Sequence, residues 1–179
     1  MTLRRFGASG DRMVIEECLS GPEVSFFAIC DGRRAVPIGT AQDHKRIFDE
    51  DRGPNTGGMG AFAPSPLADA ALTARVMREI VEPTVAGMAA EEHPFSGFLY
   101  VGLMLTADGP KVIEFNVRLG DPEAQVILPL IDEPLLPLLV AAAAGTFGPS
   151  PVRIGSERLV GVVLASRGYP ESSSSGQPI

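Results

Sequence analysis

The sequence is poor in the residue types that build disulfide frameworks and histidine metal sites. It has two cysteines, two histidines, two lysines and no tryptophan among its 179 residues. Cys18 and Cys30 form no Cys-x-x-Cys pair and are too few for a disulfide scaffold, so we expect free thiols in a reducing compartment. Two histidines are also too few for a histidine-rich metal site.

Positive charge and long apolar runs are scarce as well. Fifteen Lys and Arg face 22 Asp and Glu, a formal net charge of −7, which argues against nucleic acid or an anionic membrane as the main partner. A phosphate ligand stays possible because it needs only a few local donors. No apolar run reaches the roughly 18 residues of a membrane span. Residues 1–12 lack the apolar core of a signal peptide, which favours the cytoplasm.

The remaining pattern predicts an α+β fold with a mostly antiparallel sheet. The Asp-Gly turn at 31–32 lies between two apolar runs, which is typical of a hairpin. Strands and helices mix along the chain without strict alternation. The predicted strands are 13–19 (buried), 25–30, 35–40, 97–106, 111–116 and 158–166, and the predicted helices are 68–92, kinked or divided at Pro83, and 133–145.

The stretch KVIEFNVRLGDPE, residues 111–123, carries polar residues at spacing two. Glu114, Asn116 and Arg118 would share one face of a strand. A carboxylate and an amide oxygen suit Mg²⁺, which takes one or two protein oxygens together with phosphate and water. A guanidinium fork matches phosphate or carboxylate oxygens. The alternation alone is what any half-exposed strand shows, so by itself it favours an ordinary surface strand that binds nothing.

The stretch IEECLSGPE, residues 15–23, places two carboxylates inside an apolar run. Glu16 and Glu17 would point to opposite faces of a strand, and burying either one is costly unless it is paired. A purine amine could pair with one of them, and Glu23 beyond the turn could bind ribose hydroxyls. The alternative is that one glutamate is exposed and the other forms a salt bridge with an arginine.

A charged triplet and a glycine loop follow. Asp43, His44 and Lys45 could perform acid–base chemistry, bind an anion, or simply form a solvated loop. The uncharged loop 53–66 is rich in glycine and proline, so its backbone N–H groups could bind an anion as a closing lid. It could also be a structural Ω-loop. It is not a Walker A loop, because no Gly-Lys-Ser/Thr follows.

The order and wording of these motifs resemble one enzyme family. The resemblance covers about residues 6–170 and is carried by VIEECLSGPEVSFFAICDG, QDHKRIFDEDRGPNTGGMGAFAPSP, EPTVAGMAAE, GFLYVGLM and KVIEFNVRLGDPEAQ. These stretches are similar to the phosphoribosylamine–glycine ligases of the ATP-grasp superfamily. That family uses ATP to join glycine to 5-phosphoribosylamine through a glycyl phosphate, in de novo purine synthesis.

The resemblance implies roles for individual residues. Glu114 and Asn116 match the Mg²⁺ (or Mn²⁺) ligands, and Arg118 matches the arginine near the transferred phosphoryl group. The implied ATP-binding residues are Glu16, Glu17, Cys18, Leu19 and Glu23, and the implied substrate-binding residues are Asp43, His44, Lys45, Asn55, Thr56, Gly57, Gly58, Met59 and Asp121.

The resemblance also implies that parts of the enzyme lie outside this chain. The family has an N-terminal domain and a lysine-bearing ATP-grasp subdomain, whereas this chain holds only Lys45 and Lys111. We interpret residues 1–170 as a partial ATP-grasp catalytic domain, and 171–179 as a polar tail leading toward a C-terminal domain. We expect little activity from the chain alone, and the N-terminal half in trans is a candidate partner. The alternatives are another ATP-grasp carboxylate–amine ligase, a non-catalytic nucleotide-binding or complementing subunit, and an inactive remnant.

Overall fold

An antiparallel six-stranded sheet organises the computed structural model, which describes residues 7, 12–176 and 178. The order across this sheet is β7-β6-β1-β2-β5-β8, and β3 and β4 form a separate two-stranded ribbon. The strands are β1 (Glu23–Asp31), β2 (Ala35–Asp43), β3 (Arg46–Phe48), β4 (Arg52–Asn55), β5 (Gly60–Ala63), β6 (Ser96–Thr106), β7 (Gly109–Asn116) and β8 (Leu159–Val162).

The predicted hairpin is confirmed as β1 and β2, and a buried carboxylate stabilises its turn. Asp31 accepts hydrogen bonds from the backbone N–H groups of Arg33 (3.0 Å) and Arg34 (2.7 Å). The same carboxylate accepts the N–H of Phe147 at 3.1 Å. Asp31 therefore both closes the turn and ties it to a distant loop.

The predicted helix at 68–92 is divided, as expected, but the division begins before Pro83. Asp69 caps α1 (Ala70–Val76) by accepting the N–H of Leu72. A π-helical turn, Met77–Val81, leads into α2 (Glu82–Ala90). Pro83 is the second residue of α2, which directly follows the π-helical turn.

The second predicted helix is confirmed as α4 (Leu135–Ala144). Pro134 precedes its first residue, and Gly145 ends it in the left-handed conformation with φ 67°. A shorter helix, α3 (Ala124–Ile127), and a 3₁₀ turn, Leu128–Leu130, come directly before it. The described helices include none that is long and apolar enough to cross a membrane.

The sheet has a buried core on each face. One core packs β1 and β6 against α1, the π turn and α2, and its buried members are Phe26, Ala28, Cys30, Val76, Met77, Val81, Val85, Leu99, Val101 and Leu103. The other packs the opposite face against α3 and α4, and its buried members are Phe27, Ile29, Ile38, Ala41, Ala61, Ala63, Tyr100, Val126, Ile127, Leu130, Ala142 and Phe147.

Two predicted strands differ from the observed ones. The predicted buried strand at 13–19 is wrong: these residues form no strand, and Met13, Val14 and Ile15 are 81%, 85% and 89% exposed. Apolar character leads to burial only where the fold supplies a covering surface, and the described residues supply none there. The strand predicted at 158–166 is shorter, since β8 spans only Leu159–Val162 at the sheet edge.

The expectation of free thiols is confirmed. Cys18 is exposed, Cys30 is buried in the core beside α1 and α2, and neither forms a disulfide. Burial raises the pKa of the Cys30 thiol to about 12. Cys30 therefore behaves as a small apolar core residue at neutral pH.

Candidate nucleotide and metal site

Two adjoining cavities follow the edge of the sheet where β1, β6 and β7 meet; together we call them the cleft. The outer cavity has a volume of about 400 Å³ and is lined by Glu16, Glu17, Leu19, Glu23, Met104, Lys111, Val112 and Ile113. The inner cavity, of about 120 Å³, is lined by Glu23, Val24, Ser25, Lys45, Tyr100, Gly102, Leu103, Ile113 and Glu114. Glu23 and Ile113 line both cavities, so the two adjoin each other.

The segment before β1 is held against the sheet by few contacts. Glu17 forms an ion pair with Lys111 of β7, with 2.6 Å between Oε2 and Nζ. The backbone carbonyl of Pro22 accepts the N–H of Leu105 at 2.9 Å. Gly21 has a φ of 153° and lies so close to the Leu105 carbonyl that a Cβ would collide with it. Glycine is therefore required where this segment crosses β6.

The structure brings most of the residues assigned to ATP into this cleft. Glu16, Glu17, Leu19 and Glu23 line the outer cavity, which apolar Met104 and Val112 also line. Cys18 is exposed and is not among the lining residues. The alternative interpretation of this segment is also partly realised, because Glu17 is ion-paired, although its partner is a lysine.

A second ion pair lies at the junction of the two cavities. The Lys45 ammonium contacts the Glu23 carboxylate, with 3.0 Å between Nζ and Oε2. Burial disfavours the charged ammonium, but the Glu23 and Asp43 carboxylates outweigh burial and raise the pKa of Lys45. The lysine therefore stays protonated in the cleft at neutral pH.

Glu114 and Asn116 share one face of β7, as their spacing predicts. In the ladder with β6, Glu114 lies opposite Gly102 and Asn116 lies opposite Tyr100. The register shifts between Gly102 and Leu103, leaving Ile113 as the extra residue of a bulge next to Glu114. Glu114 lines the inner cavity beside this bulge.

These two side chains fit a magnesium ion that shares its coordination with phosphate. Among the described residues, no group of three or more His, Cys, Asp or Glu could hold a metal by itself. Glu114 is exposed and lines the inner cavity, whereas Asn116 is half-buried on the same face of β7 and lines neither cavity. Both side chains offer hard oxygen ligands. One carboxylate and one amide are typical of Mg²⁺ sites that phosphate oxygens complete.

Arg118 and Asp121 are among the predicted residues that are not brought into the cleft. Arg118 follows β7, is exposed, and donates from Nη1 to the carbonyl of Leu119 at 2.9 Å. Asp121 accepts a hydrogen bond from Gln125 Nε2 at 3.0 Å. Neither residue lines the two cavities, so the roles assigned to them stay predictions.

The three charged residues at 43–45 lie in two different environments, with Asp43 and Lys45 near the cleft carboxylates and His44 beside an aromatic ring. Burial first, and then the Glu123 and Glu23 carboxylates, raise the pKa of Asp43 to about 6, although Lys45 and His44 oppose this. The His44 ring instead lies beside the Phe62 ring, with 5.8 Å between their centroids. Asp43 and Lys45 are therefore electrostatically linked to the cleft.

The glycine loop differs from its prediction in one physical respect. We expected its backbone N–H groups to be available for a ligand, but the four from Thr56 to Met59 each have an acceptor within the chain. Lys45 and His44 carbonyls accept the N–H groups of Thr56 and Met59, both at 2.7 Å. The Thr56 hydroxyl accepts that of Gly58, and the Tyr169 hydroxyl accepts that of Gly57, each at 3.0 Å.

Close backbone contacts explain part of the glycine content of this loop. Gly58 has a φ of 124°, and a Cβ there would lie 2.5 Å from Pro122 Cδ. At Gly60, a Cβ would lie 2.6 Å from the Gly161 carbonyl oxygen of the neighbouring strand β8. The loop therefore packs against the Gly-Asp-Pro-Glu segment on one side and β8 on the other. Asn55 pairs with Arg46 in the β3–β4 ribbon.

Sequence reasoning missed three buried polar residues at the inner cavity, two of which, Ser25 and Tyr100, line it. Ser25 and Tyr100 are each 6% exposed and Glu123 is 2% exposed. The Ser25 hydroxyl donates to Glu123 Oε1 at 3.1 Å and is 3.1 Å from the Tyr100 hydroxyl. A signal was present, because a serine within an apolar strand requires a polar partner when buried.

Comparisons with known proteins identify the family of this chain. The family model described as "Phosphoribosylglycinamide synthetase, ATP-grasp (A) domain" matches residues 1–124. The chain is 51% identical over 174 residues to the phosphoribosylamine–glycine ligase of Rhizobium meliloti (strain 1021), covering 97% of this chain and 41% of that protein. It is 50% identical over 173 residues to that of Caulobacter vibrioides, covering 96% of this chain and 40% of the relative.

Solved structures give the same result for the fold. The phosphoribosylamine–glycine ligase of Thermotoga maritima aligns with a TM-score of 0.80 and 40% identity, over 89% of this chain and 40% of that one. A biotin carboxylase of Campylobacter jejuni aligns with a TM-score of 0.57 at 15% identity, covering 81% of this chain and 30% of that one. This second likeness shows the fold alone.

The matched region is a minor part of each curated relative but most of this chain. The chain spans about two fifths of the length of these relatives, 41% for the Rhizobium ligase. The family model covers more than half of the chain, and the antiparallel sheet with packed helices is the predicted ATP-grasp architecture. The chain therefore belongs to the phosphoribosylglycinamide synthetase ATP-grasp domain family.

Proposed function

We propose that this chain supplies the nucleotide- and metal-binding surface of an ATP-dependent ligase that joins glycine to 5-phosphoribosylamine. The product would be glycinamide ribonucleotide, formed through a glycyl phosphate. The observation that carries the proposal is the cleft, in which the outer cavity's glutamates and apolar wall adjoin Glu114 and Lys45 of the inner cavity. The relatives named as this ligase supply the substrate assignment.

The cleft divides into parts that suit the parts of ATP. The outer cavity combines apolar Leu19, Met104 and Val112 with the Glu16 and Glu17 carboxylates, which suits an adenine ring and its amine. Glu23, where the cavities join, would bind the ribose hydroxyls. Its ion pair with Lys45 would then have to loosen or be shared with the ligand.

The inner end of the cleft would hold the phosphates. Glu114 and Asn116 would bind Mg²⁺ or Mn²⁺, which when bound offsets phosphate charge during transfer. Lys45 would add a cation close to the same phosphates, and Arg118 would reach the transferred group only by leaving its contact with Leu119. Asp43, with a pKa of about 6, could accept a proton near neutral pH.

The substrate end is assigned to the neighbouring loops. We place glycine and phosphoribosylamine near Asp43, His44, Lys45, Asp121 and the loop 55–59. Because the loop N–H groups are already hydrogen-bonded, ligand binding there would exchange internal acceptors for ligand oxygens. Residues 1–170 would act as part of a catalytic domain, with 171–179 as a tail. The same proposal includes three further points. The chain by itself would have low activity, an N-terminal half supplied in trans would complement it, and the protein would lie in the cytoplasm.

The test is calorimetric titration of the 179-residue chain with ATP in the presence and absence of Mg²⁺. Glu114→Gln keeps the side-chain shape and removes the metal-binding charge, and exposed Glu157→Gln is the matched control outside the cleft. We expect Mg²⁺-dependent binding that Glu114→Gln weakens by about tenfold or more and Glu157→Gln leaves unchanged. Equal affinity in all three proteins would contradict the metal assignment, and absence of binding by the folded chain would contradict the proposed nucleotide site.

A further inference from the structure

The buried Ser25, Tyr100 and Glu123 side chains form a hydrogen-bond chain with a defined direction. The Ser25 hydroxyl has a single proton and donates it to Glu123 Oε1 at 3.1 Å. The Tyr100 hydroxyl, 3.1 Å away, must then donate to the Ser25 oxygen. Each hydroxyl has one proton and one defined acceptor, so these hydrogen bonds fix the orientation of the Tyr100 hydroxyl.

A second contact, with an aromatic ring, holds the ring of Tyr100. It packs edge-on against Phe27, with 5.2 Å between the ring centroids and an interplanar angle of 76°. Both contacts come from β1, the hydroxyl from Ser25 and the ring from Phe27, and Glu123, just before α3, holds the Ser25 hydroxyl in turn. A buried aromatic side chain with both ends anchored has little freedom to change rotamer.

Gly102 leaves the space that Tyr100 and Glu114 share. A Cβ built on Gly102 would lie 3.1 Å from Glu114 Cγ and 3.3 Å from Tyr100 Cε1. Gly102 has no left-handed φ, so its backbone conformation is open to any residue. A Cβ at this position would therefore require the Glu114 or Tyr100 side chain to shift by a few tenths of an ångström.

We propose that Tyr100 and Ser25 are positioning residues for Glu114, with Glu123 as their buried anchor and Gly102 as the space in which Glu114 lies. The Glu123 carboxylate orients Ser25, Ser25 orients Tyr100, and the Tyr100 ring limits the positions open to the Glu114 side chain. The ligand that Glu114 would hold rests on the proposed function, whereas the positioning itself does not depend on any ligand.

Gly102→Ala is the sharpest probe, because it adds one methyl group between the two side chains without straining the backbone. Gly148→Ala is the matched control, since a Cβ there meets nothing within 4 Å and Gly148 also lacks a left-handed φ. Ser25→Ala removes the hydrogen-bond link between Tyr100 and Glu123 without changing the Tyr100 side chain itself, so it releases the Tyr100 ring. All three variants are made in the full 179-residue chain.

The first measurement needs no ligand. The side-chain ¹³C signals of Glu114 are assigned with the Glu114→Gln variant and compared across the proteins. We expect these signals to move in Gly102→Ala and in Ser25→Ala and to stay in place in Gly148→Ala. Unchanged Glu114 signals in both test variants would overturn the proposal, and a variant that fails to fold leaves the other to decide.

The second measurement is titration with ATP and Mg²⁺. Loss of a group that orients a metal ligand typically weakens binding 10- to 100-fold, and we expect about tenfold weaker binding for Gly102→Ala and Ser25→Ala. If the unmodified chain binds no Mg²⁺–ATP, the proposed function fails while the ¹³C comparison still decides the positioning. Displaced Glu114 signals with unchanged Mg²⁺–ATP affinity would overturn the role of these residues in the site.

Discussion

The two faces of the six-stranded sheet bury different kinds of side chains. The face covered by α1 and α2 buries apolar side chains and the Cys30 thiol in its core. The face covered by α3 and α4 has an apolar core too, but toward β6 it passes into Tyr100, Ser25 and Glu123 and then into the cleft. The same strands supply both faces, because alternate residues of β1 and β6 point in opposite directions.

This difference between the two faces shows where the fold can bury polar side chains. Burying a carboxylate such as Glu123 is costly unless it is hydrogen-bonded, and here Ser25 satisfies it at 3.1 Å. Within the described residues, no buried side-chain nitrogen or oxygen lacks a hydrogen-bond partner. We infer that the α1–α2 face mainly stabilises the sheet, while the opposite face mainly positions the cleft.

The largest expected effect tests the α1–α2 face. Phe26→Ala should lower the free energy of unfolding by about 3–5 kcal/mol, because Phe26 is fully buried and its removal leaves a cavity. Chemical denaturation monitored by circular dichroism measures the change. A loss below about 1 kcal/mol would show that this face contributes far less than its burial indicates.

A smaller effect, with a pH signature, is expected on the cleft face from Asp43→Asn. The carboxyl pKa is raised from 3.8 to about 6, so the folded state binds this proton more tightly than the unfolded state does. Its stabilising contribution is complete below about pH 4 and is lost as the pH rises through 6. At pH 7 the variant should therefore be more stable by about 1–2 kcal/mol, allowing for solvent screening of a half-buried group, and below pH 4 the two proteins should be equal.

Urea denaturation at several pH values, from about 3.5 to about 7.5, measures this difference. Asp108→Asn, which removes an exposed carboxylate from the β6–β7 turn, is the control and should show no pH-dependent gain. A gain for Asp43→Asn that is independent of pH would mean that burial does not disfavour its charged form.

The smallest expected effect comes from a glycine-to-alanine substitution on the α1–α2 face, which is compared with the same substitution on the cleft face. Gly87 lies within α2, is exposed, and a Cβ there would meet nothing within 4 Å. Gly87→Ala should raise the free energy of unfolding by about 0.5–1 kcal/mol, because alanine favours the helix and restricts the unfolded chain. Thermal melting measures it, with Gly102→Ala of the cleft face as the opposing case. A destabilised Gly87→Ala would show that α2 has a contact on its outer side.

Several elements of the fold could be predicted from the sequence because each depends on a short stretch of neighbouring residues. The Asp-Gly turn, the left-handed Gly145 after an apolar helix and the alternation in 111–116 each depend on a few neighbouring residues. The exposed run 13–15 was misread because apolar character does not reveal whether another layer covers it. The resemblance identified the family, but not how its motifs meet in space.

The site was predicted in part for the same reason. Glu114 and Asn116 on one face follow from strand periodicity, whereas the contact of Glu23 with Lys45 could not be inferred because the two are 22 positions apart. The hydrogen-bond chain from Tyr100 to Glu123 joins residues from β6, β1 and the start of α3. The partner of the Gly57 N–H, Tyr169, lies 112 residues further along the chain. Pairings at such separations require the three-dimensional structure.

The most direct test of the central claim is a crystal structure of the chain with Mg²⁺ and a non-hydrolysable ATP analogue. We predict the adenine in the outer cavity beside Glu16, Glu17 and Leu19, and a magnesium ion bound by Glu114 and Asn116 at the inner end. A nucleotide bound elsewhere, such as the cavity of about 340 Å³ beside Arg33 and Arg34, would contradict the account.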